Sequence, residues 1–413
     1  MKFKRLILLS AGLTLLSGGG SRSLQAAEGI RERSIRVGSV LALVGPARGL
    51  GMGMKSGLRK ALEGKRVRGR TYRLIFKNDS YEPDQAMAAT RRLLKKDVFA
   101  FLGNVGTPTA AVTLPLLAPQ GIPAVGFFTG AGLLRPGPGN AVNFRASYLQ
   151  ETEKVIHAAI SAGLEPDGVC AYVQNDSYGM AGLRGITAAL KKAGANPQTL
   201  KQLEEIIAME GDGPDRNNRG PVGVYTRNSI RWKQGFGSLL RWEKQSGKRC
   251  RLVVTVGAYS NIALFIRGSR KQERNWVVSA VSFTGAELLR KRLKKYRTTD
   301  RVLMTQVVPL PDSNLPIVRE AKARLGSAFG IVSLEGYIVG AMFHRIMSDI
   351  KGPLSRRSFM EQVKRSRFDL GGVAIDFTRN GYQASDLVIP GRLTKRGWKE
   401  MDAAAWSGLF RQD

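Results

Sequence analysis

The sequence predicts an α/β protein of two lobes, each built on a largely parallel β-sheet. The chain has 413 residues, which exceeds one ordinary domain and is enough for two hydrophobic cores. Short β-branched runs alternate with longer helical patterns from Ser34 to Phe128, and the alternation restarts near Gly168. Strict strand–helix alternation implies right-handed crossovers and parallel strands. Two such series therefore predict two α/β lobes.

The first series contains four predicted strands and three predicted helices. The strands are 34–43 (SIRVGSVLAL), 72–79, 98–104 and 122–128, and the helices are 55–64, 84–97 and 107–120. Ligands of such folds bind at the carboxyl ends of the strands, where helix N-termini offer unpaired N–H groups. We therefore expect the functional residues in the loops that follow the strands.

The second series runs from about Gly168 to Val281, with strands at 169–174 and 251–258 and a helix at 179–194. A last section is predicted as strand, helix and strand at 303–311, 333–350 and 373–382. The segment Glu210 to Gly223 is rich in Gly, Pro, Asp and Asn. This composition predicts a mobile surface loop.

The N-terminus has the layout of a secretory signal. Lys2, Lys4 and Arg5 precede an apolar stretch at 6–16, and small residues follow as far as Ala27. This pattern predicts a signal peptide over 1–27, cleaved after residue 26 or 27. Gly19 stands where a lipoprotein would carry its lipidated cysteine. No internal run approaches the roughly 18 to 20 apolar residues of a membrane span, so a soluble exported protein is expected.

The charge is strongly positive, with 65 Lys and Arg against 32 Asp and Glu and a net charge of +33. Such a charge attracts anions and nucleic acid nonspecifically. The basic residues are spread along the chain, and the densest run, Arg290 to Arg301, is predicted as the polar side and end of a helix. Dedicated nucleic-acid proteins concentrate charge beside exposed aromatics or a reading motif. We therefore predict a basic surface and no nucleic-acid partner, with an anionic ligand or membrane-surface attraction as alternatives.

The scarce cysteines and histidines limit the chemistry. Cys170 and Cys250 each begin a Val-rich predicted strand, and in an oxidising compartment a lone pair often forms a disulfide. Two buried free thiols are the alternative. His157 and His344 are the only histidines, so neither a metal site nor a catalytic triad is expected.

A glycine motif invites a dinucleotide-binding interpretation. Gly51, Gly53 and Gly57 precede a predicted helix, and Asp79 ends the next strand. In a dinucleotide site the first glycine lies directly at the strand's end. Here several residues, Pro46 among them, intervene after Leu43. With 48 glycines in the chain, a chance match is the better explanation, and no cofactor is predicted.

Nine short segments resemble, in order and spacing, the periplasmic branched-chain amino-acid-binding family, type I of the solute-binding fold. The resemblance covers nearly all of the chain after the signal peptide. The segments are Gly45-Pro46-Ala47, Asn78-Asp79-Ser80-Tyr81-Glu82-Pro83, Gly103-Asn104-Val105-Gly106-Thr107-Pro108-Thr109, Phe128-Thr129-Gly130-Ala131, Phe144-Arg145-Ala146-Ser147-Tyr148, Gln174-Asn175-Asp176-Ser177-Tyr178-Gly179, Arg227-Asn228-Ser229, Gln306-Val307-Val308-Pro309 and Leu334-Glu335-Gly336-Tyr337.

This resemblance implies a non-enzymatic, monomeric binding protein of the periplasm. It would capture a small polar ligand, an amino acid or related carboxylate, by hinged closure and deliver it to an ABC transporter permease. A ligand-sensing receptor on the same fold is the alternative. The implied lobes are 28–146 plus 306–367 and 147–305 plus 368–413, with chain crossings near Ala146, Gln306 and Phe368.

Thr107 and Pro108 have the pattern of an N-cap followed by proline at the first helical position, which fixes a helix start with free N–H groups. The resemblance places the family's carboxylate-binding loop there and implies that tyrosines of the second lobe close over the ligand. The predicted ligand-binding residues are Asn104, Gly106, Thr107, Phe128, Thr129, Gly130, Tyr178 and Tyr259.

Two positions depart from the family pattern. The aromatic residue of the first lobe falls on Leu50, and the acidic residue that receives the ligand's ammonium is replaced within Ala280 to Phe283. Burying an ammonium without a partner is costly, so the departure argues against an α-amino acid ligand. Glu335 is a substitute partner from the other lobe, with a helix-capping role as the alternative.

Overall fold

The structure is a computed structural model that describes residues 28–410, so the predicted signal peptide at 1–27 lies outside it. The fifteen strands described are β1 Ser34–Leu41, β2 Arg66–Val67, β3 Arg70–Asn78, β4 Ala100–Leu102, β5 Ala124–Val125, β6 Ala141–Val142, β7 Val169–Gln174, β8 Val222–Tyr225, β9 Leu252–Val256, β10 Val277–Ala280, β11 Val302–Gln306, β12 Arg367–Asp369, β13 Ala374–Asp376, β14 Ile389–Thr394 and β15 Gly397–Glu400.

The α-helices flank these strands. They are α1 Arg48–Leu62, α2 Pro83–Leu94, α3 Thr107–Leu117, α4 Tyr148–Ser161, α5 Ser177–Lys192, α6 Pro197–Ala208, α7 Lys233–Ser246, α8 Tyr259–Lys271, α9 Ala286–Tyr296, α10 Pro316–Leu325, α11 Ile331–Asp349, α12 Arg356–Arg365 and α13 Ala403–Phe410.

Two sheets organise the chain and confirm the predicted two-lobed α/β fold. The first has the order β2-β3-β1-β4-β5-β6 and the second β15-β14-β11-β10-β9-β7-β8. The strands β3, β1, β4, β5 and β6 pair in parallel. In the second sheet β8, β7, β9, β10 and β11 are parallel, while β14 and β15 are added antiparallel.

The chain passes between the two sheets more than once. After β6 it enters α4 and the second sheet, and β11 of that sheet ends at Gln306. After α12, the strands β12 and β13 form a separate antiparallel hairpin. The next strand to join the second sheet, β14, begins at Ile389.

Helix α1 begins at Arg48, seven residues earlier than predicted from the sequence, and the glycine motif lies inside it. A Cβ on Gly51 would lie 2.1 Å from the carbonyl oxygen of Ala42, and one on Gly57 would lie 2.2 Å from the carbonyl oxygen of Ser333 in α11. These glycines therefore let α1 approach β1 and α11 closely, a packing role that needs no nucleotide.

Cys170 and Cys250 form a disulfide across 80 positions of the sequence. It connects the start of β7 to the segment before β9, two neighbouring strands. Of the two alternatives left open by the sequence, the structure shows the disulfide. Among residues 28–410, no helix is long and apolar enough to cross a membrane.

The segment 210–223, predicted as a mobile loop, is anchored by a buried arginine. Arg216 is 3% exposed, and its guanidinium donates to Asn175 Oδ1 at 2.8 Å and to the Ile206 carbonyl at 3.1 Å. Because a buried guanidinium needs acceptors on several sides, these contacts hold the loop against the second lobe.

Candidate functional site

The loops at the carboxyl ends of the first sheet bring together the two predicted threonines. Thr107 and Thr129 are fully buried, and their hydroxyl oxygens are 2.7 Å apart. The N-cap of α3 is Gly106, with a φ of +110°, and Thr107 is the first helical residue. The predicted capping role of Thr107 is therefore wrong: its hydroxyl bonds across to the next loop, and the left-handed conformation is supplied by glycine.

The neighbouring residues shape the floor of this region. Asn104 accepts a hydrogen bond from the Val40 backbone N–H at 3.0 Å through Oδ1. This side-chain oxygen therefore connects the end of β1 to the loop after β4. The Gly130 carbonyl accepts from the Tyr148 N–H at 2.8 Å. A Cβ on Gly130 would lie 2.7 Å from the Tyr148 ring. Glycine thus allows the start of α4 to approach the loop.

Five buried rings from both lobes meet between the sheets, and we call them the aromatic cluster: Tyr81, Phe128, Tyr148, Tyr178 and Phe283. The Tyr178 ring lies 4.6 Å from Phe283 and 5.3 Å from Tyr148. Phe283 also lies 5.2 Å from Phe128 and 5.9 Å from Tyr81. The cluster therefore contains the predicted Phe128 and Tyr178 and three residues to which the sequence analysis gave no role.

Tyr81 reaches the cluster through an unusual turn. Ser80 and Tyr81 have φ values of +53° and +63°, a conformation that side chains other than glycine rarely adopt. The turn is held by the Asp79 carboxylate, which accepts from the Tyr81 N–H at 2.8 Å. Strained backbone is concentrated at functional sites in many proteins, and here it directs an aromatic ring between the lobes.

The predicted Tyr259 lies apart from the aromatic cluster. It begins α8, and the Arg292 guanidinium lies 5.3 Å from its ring centroid. A Cβ on Gly285 would lie 2.7 Å from Leu50 and 3.7 Å from the Tyr259 ring. Leu50 and Tyr259 therefore meet around Gly285, at a different part of the interface between the lobes.

Polar contacts join the two lobes directly. Gln174 Nε2 donates to Tyr81 Oη at 3.1 Å. Arg227 Nη2 lies 3.0 Å from Glu82 Oε2, and Asn228 Nδ2 donates to Glu82 Oε1 at 2.6 Å. Tyr81 and Glu82 follow β3 of the first sheet, whereas Gln174 ends β7 and Arg227 and Asn228 follow β8 of the second sheet. The structure therefore shows the lobes in contact.

Arg145 forms a buried charged network at the first passage between the sheets. Its guanidinium lies 3.4 Å from Glu151 Oε1 and 3.4 Å from Glu335 Oε1, and the three side chains are at most 2% exposed. Glu151 also accepts from the Ser282 N–H at 2.8 Å and from the Ser282 hydroxyl at 2.9 Å. Glu151 lies on α4 and Glu335 on α11, so the network connects helices of both lobes to the segment that carries Phe283.

Burial and the neighbouring charges together set the pKa values in this network. Burial lowers the pKa of Arg145, but the nearby Glu335 and Glu151 carboxylates more than offset that effect, so its pKa is raised overall. Burial raises the pKa of Glu335 to about 7, against the opposing charge of Arg145. Glu335 therefore ionises near neutral pH, in contact with a permanent cation.

Among residues 28–410, no group of three or more His, Cys, Asp and Glu side chains is arranged to hold a metal ion. The residues missed by sequence reasoning are Tyr81, Arg145, Tyr148 and Phe283. Arg145 and Tyr148 lie in the segment Phe144 to Tyr148 that carried part of the resemblance. An arginine between Phe144 and Ala146 was the available signal.

Comparison with known proteins places the chain in a family. Residues 34–203 match the family model described as periplasmic binding protein. A structure described as a possible leucine/isoleucine/valine-binding protein from Rhodopirellula baltica SH 1 is 30% identical, with 94% of this chain and 100% of that chain covered and a TM-score of 0.81. This chain belongs to the periplasmic branched-chain amino-acid-binding protein family. It is a solute-binding protein, and its family is extracytoplasmic and made of binding proteins, not enzymes.

More distant members of this fold are also similar. A substrate-binding periplasmic protein from Ralstonia solanacearum is 21% identical over 88% of this chain and 99% of that one, with a TM-score of 0.73. An ABC transporter solute-binding protein from R. palustris, in complex with 4-hydroxybenzoate, is 16% identical over 89% and 96%, with a TM-score of 0.70. Among curated proteins, none gives a significant match.

Proposed function

We propose that this binding protein captures a small carboxylate, an amino acid or a related acid, between its two lobes and delivers it to an ABC importer in the periplasm. The observation that carries the proposal is the convergence of both lobes on one buried region. Thr107 and Thr129 come from the first lobe and Tyr178 from the second, and Phe128 and Tyr178 both pack against Phe283.

The proposed mechanism is hinged closure. The lobe contacts at Tyr81 and Glu82 exist only when the lobes meet, so a ligand that adds contacts to that arrangement favours it over an open one. A permease that recognises the closed arrangement then binds the protein with its ligand in place. The ligand-binding residues proposed are those predicted from the sequence: Asn104, Gly106, Thr107, Phe128, Thr129, Gly130, Tyr178 and Tyr259.

Native mass spectrometry of protein purified under mild conditions tests the proposal, because a co-purified small molecule is weighed directly. Calorimetry with the identified ligand then compares Tyr178→Ala and Tyr259→Ala with wild type. We expect each to weaken binding by roughly 1 to 3 kcal/mol, as for a buried aromatic contact. Unchanged affinity in both variants would show that the ligand does not lie between the lobes.

Export is tested separately. The predicted signal peptide implies a mature N-terminus at residue 27 or 28, directly before the described part of the chain. N-terminal sequencing of protein recovered from the periplasm gives this position. An intact Met1 on exported protein would refute the assignment.

A further inference from the structure

Phe283 fills the centre of the aromatic cluster. Its side chain is fully buried and belongs to the short turn Ser282–Thr284 after β10 of the second lobe. Its ring packs on Phe128 and Tyr81 of the first lobe and on Tyr178 of the second. A ring that contacts both lobes in this way occupies the position that a ligand held between the lobes would need.

The atoms around this ring include several buried donors without a hydrogen-bond partner in the part of the chain that the structure describes. They are Nε of Arg145, the hydroxyls of Tyr148 and Tyr178, and the hydroxyl of Thr284. The Arg145 guanidinium lies 4.8 Å from the centroid of Phe128. A buried donor left without an acceptor costs free energy, and four such donors around one cluster call for a ligand that brings acceptor oxygens.

The carboxylates beside the cluster are already engaged. Glu151 accepts from Ser282 and Thr305, and Glu335 lies 3.4 Å from Arg145. Asp176 Oδ2 lies 3.0 Å from Arg227 Nη1 and accepts from Gln174 at 2.7 Å. The region that would hold the family's acidic residue supplies Ser282 and Phe283 instead. An ammonium would therefore have to displace an existing partner.

Asp79 is the strongest alternative partner for an ammonium. Within residues 28–410 its Oδ2 is buried without a hydrogen-bond partner, and burial raises its pKa to about 7. Its other oxygen holds the Tyr81 backbone, so its carboxyl group is tied to the first-lobe turn. Among residues 28–410, four donors around the cluster lack a hydrogen-bond partner, against this one carboxylate oxygen.

We propose that the ligand is an apolar carboxylate without an ammonium group. Its carboxylate is bound by Arg145 and the hydroxyls of Tyr148 and Tyr178, and its apolar part takes the position that the Phe283 ring fills in the structure. This inference rests on the proposed function, because it assumes that the ligand binds between the lobes. It names the ligand's chemistry and three residues outside the predicted set.

Calorimetry on matched ligand pairs tests the chemistry. 4-Methylpentanoate and leucine differ by the ammonium, and benzoate and benzamide differ by the carboxylate charge. We expect each acid to bind at least about tenfold more tightly than its partner. Leucine has to bury an ammonium beside carboxylates that are already engaged, and benzamide offers the buried donors no charged acceptor. Leucine binding more tightly than 4-methylpentanoate, with loss of that binding in Asp79→Asn, would overturn the inference and leave the proposed function intact.

Variants test the residues. Tyr148→Phe and Tyr178→Phe remove hydroxyls that have no partner in the described structure, so we expect unchanged melting temperatures but about 10- to 100-fold weaker acid binding. Tyr72→Phe is the control, because the Tyr72 hydroxyl contacts His344 away from the cluster. Acid binding that is unchanged in both cluster variants would overturn the assignment of Tyr148 and Tyr178.

Phe283→Ala removes the ring that competes with the ligand, so we expect acid binding to tighten about tenfold. If that variant fails to fold, Phe283→Leu should change the affinity in the same direction by less. Weaker acid binding in the folded variant would overturn the displacement of Phe283. If no small molecule binds to wild type or variant and native mass spectrometry finds none, the proposed function fails together with the inference.

Discussion

The contacts of Glu82 across the two lobes predict how the closed arrangement is held, and Glu82→Ala is the sharpest perturbation of it. The Glu82 carboxylate lies 3.0 Å from Arg227 Nη2 and accepts from Asn228 Nδ2 at 2.6 Å. Arg227 is in turn held by Asp176, with Nη1 3.0 Å from Oδ2. Removing the Glu82 carboxylate leaves this second-lobe pair intact but ends its contact with the first lobe.

The magnitude follows from two charge-assisted contacts in a half-exposed position. The Glu82 side chain is 37% exposed and that of Arg227 is 17% exposed, so solvent reduces each contact to the lower end of its range. A loss of about 1 to 2 kcal/mol is expected. This corresponds to roughly a 5- to 30-fold shift of the closed-to-open ratio toward the open state.

Small-angle X-ray scattering of ligand-free protein measures the shift as an increased radius of gyration. The control is Glu63→Ala, which removes an exposed ion pair with Lys60 at 2.8 Å. Both residues lie at the end of α1, so this ion pair does not join the lobes. That variant should scatter like wild type. Identical scattering from Glu82→Ala and wild type would refute the view that this contact holds the lobes together.

Three further predictions concern stability and the role of Thr107. Replacing Cys170 and Cys250 with alanine should lower the free energy of unfolding by about 2 to 4 kcal/mol, and an unchanged midpoint in urea would contradict a stabilising role for the disulfide. Because burial raises the pKa of Glu335 from 4.5 to about 7, the folded protein keeps the Glu335 proton at pH values where the unfolded chain has lost it. Wild type should therefore lose up to about 3 kcal/mol of stability relative to Glu335→Gln as the pH rises from about 4.5 to about 7, and parallel stability curves across that window would contradict this. Thr107→Ala should lose the hydrogen bond to Thr129 and about 1 kcal/mol of stability, whereas Thr107→Ser keeps both; equal melting temperatures for the two variants would refute the role assigned to that bond.

The sequence was sufficient for the fold because strand–helix alternation is a local signal. The strands at 34–41 and 169–174 lie where β-branched runs predicted them. Helix α1 was predicted too short because its glycines obscure the apolar spacing that Leu50, Met54 and Leu58 provide. Close packing of α1 against α11 requires glycine in this helix, and no local sequence pattern reveals that contact.

The candidate site could be predicted only in part, because most of its contacts join residues that are far apart in the sequence. Thr107 and Thr129 were predicted to lie in adjacent loops at one sheet edge, and the structure brings their hydroxyls into contact. Phe283 has no such local signature, because its role depends on contacts with rings far away in the sequence. The sequence did indicate that the family's acidic residue was missing near position 283, but the residue that fills the space was not predictable.

One short segment connects the aromatic cluster to the charged network between the lobes. Phe283 is covalently next to Ser282, whose N–H and hydroxyl both donate to Glu151. Glu151 follows the chain passage near Ala146 and contacts Arg145, which in turn contacts Glu335 on the other lobe. A backbone shift that displaces the Phe283 ring would therefore also move a donor of the network that joins helices α4 and α11. Since packed interfaces switch between discrete arrangements more readily than they deform continuously, the proposed displacement of Phe283 should also change how the two lobes pack at this network.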